Sequence, residues 1–132
     1  DLRDRTVLPG LIDSHVHLDS DRAGNEGLLA EFTENLPMRS LEAQLNGMKT
    51  LRAGFTTVRN LGDRGGVTMA LRDAIARGWV QGPRIVDSGM SISTSGGHMD
   101  ARNAVNDETD AHTDHSNVCD GPESCRRAIR LQ

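Results

Sequence analysis

The chain has 132 residues, of which 36% are hydrophobic, with two Phe, one Trp and no Tyr. That length allows one domain at most, or part of one, and supplies few bulky side chains for a core. A net charge of −4 with acidic and basic residues intermixed excludes a basic nucleic-acid surface, and no apolar run approaches the roughly 20 residues of a membrane span.

The opening, Asp1 to Thr6, is polar and lacks both an initiator Met and a visible signal peptide. It reads as a processed or truncated end. A cytoplasmic location is favoured, and a removed signal peptide is compatible with the same opening. Val7 to His17 is expected to form the first strand, entered through the turn signal Pro9-Gly10. Within it Asp13, His15 and His17 alternate with Ser14 and Val16, so in a regular strand the three share one face. Two neutral imidazoles on one strand face can converge on a single cation, as in zinc-type sites.

Asp19 to Asn35 contains Gly24 and Gly27 and reads as a long loop with a helical turn around Glu26–Phe32. Ser40 to Ala53 is expected to be a helix, with Ser40 as its N-cap and Leu41, Leu45 and Met48 at helical spacing. Gly54 ends it, and the β-branched run from Phe55 to Leu61 is a second strand. After the turn 62–66, Val67 to Arg77 is a second helix, with Met69, Leu71, Ala74 and Ile75 available for burial. Arg84 to Ser88 is a third strand. Ser91 to Asn117 is rich in Ser, Gly, Asp and His, and Gly121-Pro122 opens a final helix.

Strands alternating with helices imply an α/β fold with a parallel sheet and right-handed crossovers. No Gly-x-Gly-x-x-Gly follows the first strand, which removes the dinucleotide fingerprint. Polar groups gather instead at the strand ends, where eight-fold barrels carry their active sites, although three units are less than half of a ~250-residue barrel. His112, Asp114, His115 and Cys119 form a second cluster, in polar sequence without periodicity that reads as a solvated loop. Cys119 and Cys125 are six apart, not a Cys-x-x-Cys pair; a small disulfide loop is open to them, with two free thiols the stronger reading.

Leu8-Pro9-Gly10-Leu11-Ile12-Asp13-Ser14-His15-Val16-His17 resembles the first-strand motif of the metal-dependent amidohydrolase superfamily. Gly54 to Gly62 resembles its second strand. Gly82-Pro83-Arg84-Ile85 and Ser93-Thr94-Ser95-Gly96-Gly97-His98-Met99-Asp100 resemble its third strand and following loop, and are most similar to the branch of imidazolonepropionase-like and Xaa-Pro or Xaa-Arg dipeptidase-like enzymes. The resemblance implies the first three βα units of a (β/α)₈ TIM-type barrel over residues 7–132, with residues 1–6 ending a small flanking β domain. It implies one or two divalent metal ions, zinc foremost, with His15 and His17 as ligands. The family's carboxylated lysine, later histidines and eighth-strand aspartate have no counterpart here, since Lys49 lies in the first helix.

The implied activity is metal-dependent hydrolysis of amide-type C–N bonds in peptide, cyclic-amide or carbamate- and urea-like substrates. A complete protein of this kind is expected to take a small-molecule or dipeptide substrate and to form a homo-oligomer, while the 132 residues alone are expected to be inactive. Asp13 is expected to orient a histidine through its second ring nitrogen. His98, on a glycine-rich loop, is a candidate for contact with substrate or its carbonyl. Arg59 and Asp100 are further candidates for substrate binding, a structural ion pair being the stronger reading of Arg59. The competing reading is a non-catalytic module that binds a metal or another chain through its sheet edge.

Overall fold

The computed structural model describes residues 2–103, 105–112 and 114–132, with Leu28 described for its backbone alone. Three strands, β1 (Leu11–Val16), β2 (Phe55–Asn60) and β3 (Arg84–Asp87), form a parallel sheet in the order β1-β2-β3. Two helices cross between them, α2 (Leu36–Arg52) and α3 (Val67–Ala76). Further helices are α1 (Gly24–Thr33), the single turn α4 (Asp107–Asp110) and α5 (Pro122–Arg130). The expected α/β fold with a parallel sheet is present.

α2 and α3 cover one face of the sheet, and the core lies between them. It is built from Leu18, Ala43, Val58, Val67, Leu71 and Ile85. The other face is open, leaving Arg59 and Val86 exposed among the described residues. Leu71 and Ile75 pack inward from α3, as its periodicity implies.

Two sequence expectations are corrected by α2. Its N-cap is Asn35, whose side chain accepts the Met38 amide at 3.1 Å, while Ser40 sits inside the helix and donates to the Leu36 carbonyl. Its buried face is Arg39, Ala43, Asn46 and Gly47, and the expected stripe residues Leu41 and Leu45 are exposed. Small size decides this. A Cβ on Gly47 would already touch Pro83 Cδ at 3.6 Å and Leu71 Cδ2 at 3.7 Å, so close approach of two helices and a strand selects Ala and Gly over Leu.

The expected loop after β1 is a ten-residue helix, α1. Ion pairs hold it: Arg22 bonds Glu34 at 2.7 Å and Glu42 at 2.8 Å, and Arg39 bonds Glu31 at 2.7 Å. The helical turn expected around Glu26–Phe32 is the middle of this longer helix, which the Glu31–Arg39 pair ties to α2.

The segment after β3 folds back on itself. Ser93 and Val118 form an isolated parallel bridge, and the Cys119 amide donates to the Ser93 carbonyl at 2.8 Å. Cys119 and Cys125 are disulfide-bonded, against the expectation of free thiols. The tight turn into α5, with Pro122 in its first turn, brings their Cα atoms to 4.9 Å, inside the range a disulfide can span.

Candidate active site at the strand ends

The C-terminal ends of the three strands open into a cavity of about 960 Å³. His17 enters it from just beyond β1, Gly62 and Asp63 from beyond β2, and Ser91 from beyond β3, with Asp19 and Arg39 also in its wall. The path of the chain there is fixed by Asn60, which is fully buried. Its Oδ1 accepts the Leu18 amide at 3.0 Å, and its Nδ2 donates to Thr68 Oγ1 at 2.9 Å. Asn46 Nδ2 donates to the Leu18 carbonyl at 3.0 Å, so the backbone of Leu18 is gripped from both sides.

His15 and His17 lie edge to face, with ring centroids 5.5 Å apart and planes inclined at 68°. Both are exposed on the open side of the molecule. His17 Nδ1 is 3.2 Å from the Gly62 carbonyl oxygen. A carbonyl can only accept, so Nδ1 carries a proton there, and in the neutral ring Nε2 keeps its lone pair. His17 is thereby held in a tautomer that can ligate a cation.

For Asp13, expected to orient a histidine ring, the structure gives a bond to main chain. Along the β1–β2 ladder Asp13 pairs with Val58 and Val16 with Asn60, so three steps of β1 match two of β2. Partners across a ladder share a face, which places Asp13 with the buried Val58 and breaks the simple alternation with His15 and His17. The Asp13 carboxylate accepts the His15 backbone amide at 3.0 Å and so satisfies main chain at the irregularity.

The other sequence candidates take these positions. Arg59 is exposed, and its Nε donates to the Ser14 carbonyl at 2.8 Å, tying β2 to β1. Asp100 is buried and spends its carboxylate inside its own loop, on the Gly96 amide at 2.7 Å and on Arg102 Nη2 at 2.7 Å. The Arg102 guanidinium and the Gly96 amide hold its pKa well below the usual carboxylate range. His98 is exposed on the same turn and outside the cavity wall. His115 Nε2 lies 2.9 Å from Asp110 Oδ1. Among the described residues no group of three or more His, Cys, Asp or Glu side chains is arranged to hold a metal ion.

The structure adds Asp19, which sequence reasoning passed over, and gives a place to Asp63, one of the polar groups expected at the end of the second strand. Asp19 and Asp63 are buried in the cavity wall. Burial raises the pKa of Asp19, the nearby Arg39 guanidinium opposes that, and Asp63 adds to it. Asp63 Oδ2 accepts the backbone amide and the hydroxyl of Thr68, the latter at 2.7 Å, and so caps the start of α3. The available signal was the spacing Asp63-x₄-Thr68 at a helix start after a glycine turn. The Gly62 carbonyl, being main chain, had no signal of that kind.

Residues 6–132 match the Amidohydrolase family. Among curated proteins the chain is similar to the ochratoxinase of Aspergillus niger, 28% identical over 142 residues, covering 96% of this chain and 28% of that protein. Among solved structures it is similar to a Xaa-Pro dipeptidase with bound methionine in the active site, at 36% identity and a TM-score of 0.79, covering 92% of this chain and 30% of that one. A prolidase complexed with N-methylphosphonate-L-proline is 33% identical with a TM-score of 0.72, covering 99% of this chain and 32% of that one. The chain thus spans less than a third of the length of these relatives. Its paired histidines at the end of β1, parallel sheet and family match agree: the chain belongs to the amidohydrolase family.

Proposed function

We propose that these residues form the first three βα units of a (β/α)₈ barrel and bring His15 and His17 to a divalent-metal centre, zinc foremost, in a hydrolase of amide-type C–N bonds. The observation that carries this is the bond from His17 Nδ1 to the Gly62 carbonyl, which leaves Nε2 as a donor beside the His15 ring. The donor chemistry fits a zinc-type ion, since neutral imidazoles are standard ligands and a ring fixed through its other nitrogen is the usual supporting arrangement. Two imidazoles make part of a coordination sphere. When bound, such an ion polarises a scissile carbonyl and acidifies an attacking water.

The chain's own residues build the cavity wall around that position. Asn46 and Asn60 fix the backbone that follows β1, Arg39 stands 3.7 Å from the Asp19 carboxylate, and Asp63 fixes the start of α3. The solved relatives include a Xaa-Pro dipeptidase and a prolidase, so dipeptides with C-terminal proline are the first substrates to test.

Zinc titration of the 132-residue chain by calorimetry, beside His15→Ala and His17→Ala, tests the metal reading. Binding by the wild-type chain that either substitution weakens at least tenfold supports it, and binding indifferent to both overturns it. Hydrolysis of Xaa-Pro dipeptides by the full-length protein and not by the 132 residues alone supports the enzymatic reading. Zinc binding by a full-length protein that hydrolyses no amide, carbamate or urea-type substrate supports the non-catalytic module instead.

A further inference from the structure

The turn after β2 is bonded on every side. The Leu61 amide donates to the Val16 carbonyl on β1 at 3.0 Å, and the Leu61 carbonyl accepts Ser91 Oγ at 2.6 Å. The next peptide unit is held at both ends: the Gly62 carbonyl accepts His17 Nδ1 at 3.2 Å, and the Asp63 amide donates to the Gly89 carbonyl at 3.2 Å. A chain of hydrogen bonds therefore runs from the His17 ring through the Gly62–Asp63 peptide to the backbone beyond β3. Bonds in such a chain polarise one another, so the carbonyl facing His17 is a better acceptor for being bonded at its own amide.

Ser91 is the side chain bonded to the peptide unit just before that one, Leu61–Gly62. Gly62 has φ +138°, a region L side chains avoid, and a Cβ there would run into Ser91 Oγ and come to 3.1 Å from Ser91 Cβ. The glycine and the serine fit as a pair: one supplies the conformation and the space, the other occupies the space and ties down Leu61.

We infer that Ser91 is a positioning residue, acting through the Leu61–Gly62–Asp63 backbone to fix the ring orientation and tautomer of His17. This rests on reading His17 as a metal donor, and it adds a residue of the β3 loop to what governs that donor. Removing Ser91 Oγ frees the Leu61 carbonyl and loosens the turn that presents the Gly62 carbonyl to His17 Nδ1. Outer contacts of this kind are worth about 10–100-fold in metal affinity.

The test compares wild type with Ser91→Ala and Ser91→Thr, by ¹⁵N NMR of the histidine rings and by the zinc Kd from chelator competition. Expected is an Nδ1-protonated His17 in the wild type, a smaller share of that tautomer in Ser91→Ala, and zinc binding weakened about tenfold or more. Ser91→Thr, which keeps the hydroxyl, restores both. If Ser91→Ala does not fold, Ser91→Cys keeps the volume while weakening the bond and gives the same two readouts. A wild-type tautomer together with a zinc Kd within twofold of wild type in Ser91→Ala overturns the inference while leaving the metal reading standing. A wild-type chain that binds no zinc, yet whose His17 tautomer shifts in Ser91→Ala, upholds the positioning role and removes the metal reading.

Discussion

Asn60 and Leu18 are joined across 42 positions of the chain, the Asn60 carboxamide accepting the Leu18 amide at 3.0 Å in a fully buried environment. The same carboxamide donates to Thr68, whose hydroxyl donates on to Asp63. One side chain thereby aligns the exit from β1 with the start of α3, and the cavity wall depends on both.

Asn60→Ala leaves the Leu18 amide without its partner and opens space beside Thr68. An orphaned buried donor costs about 1–3 kcal/mol and the void adds to it, so the loss should be about 2–4 kcal/mol. Urea unfolding monitored by circular dichroism measures it. A loss below 0.5 kcal/mol, on the scale of an ordinary surface substitution, would remove the network from this account.

Gly62→Ala forces an L side chain to φ +138° against Ser91. Strain of this type costs about 1–3 kcal/mol. Thermal melting should register that loss. Because the Gly62 carbonyl holds His17, zinc affinity should fall as well, whereas Gly78→Ala should leave zinc affinity unchanged. Gly78 also has a positive φ, of 72°, but ends α3 far along the chain from the turn.

Glu31 bonds Arg39 at 2.7 Å and stands 3.3 Å from Arg64, linking α1 to α2 and to the turn after β2. Glu31→Gln keeps the shape and removes the charge. Amide exchange within α1 should accelerate, with its local opening free energy falling by about 1 kcal/mol, the scale of a part-exposed ion pair. High salt should act in the same direction on wild-type α1 and leave α2 protected. Exchange in α1 that is indifferent to both the substitution and salt would show that apolar contacts hold the helix.

The Asp100 loop should be acid-sensitive. Its carboxyl pKa is held in the folded chain well below the usual carboxylate range, by Arg102 and by the Gly96 amide. A depressed folded value means the stabilisation is fully present above the unfolded value of 3.8 and is lost as pH falls through the folded one. Exchange of the Gly96 amide should therefore be slow at pH 5 and speed up on acidification below about pH 4, beyond the intrinsic pH dependence of exchange. Asp100→Asn should remove that transition.

The sheet and its crossovers were legible because strand and helix periods differ and because Gly54, Gly62 and Gly78 punctuate them. The paired histidines were legible as a motif. Their environment was not. Asp13 fell out of alternation because a register irregularity in β1, invisible in a pattern of period two, turned it toward Val58. The buried face of α2 was misread because leucines carry more apolar surface than Ala43 and Gly47, whereas close approach of packed elements rewards the smaller residues. The acceptor for His17 is a backbone carbonyl, and no side-chain identity announces one.

The Cys119–Cys125 link has a practical meaning for anyone preparing this protein. It fastens the first turn of α5 to the segment whose residues Ser116 and Asn117 form part of the cavity wall. Material made where glutathione and thioredoxin keep thiols reduced would emerge with that fastening undone. Supplying an oxidised glutathione buffer during purification should then tighten the wall and raise the melting temperature, while a double Cys→Ser variant should melt at the same temperature in either buffer.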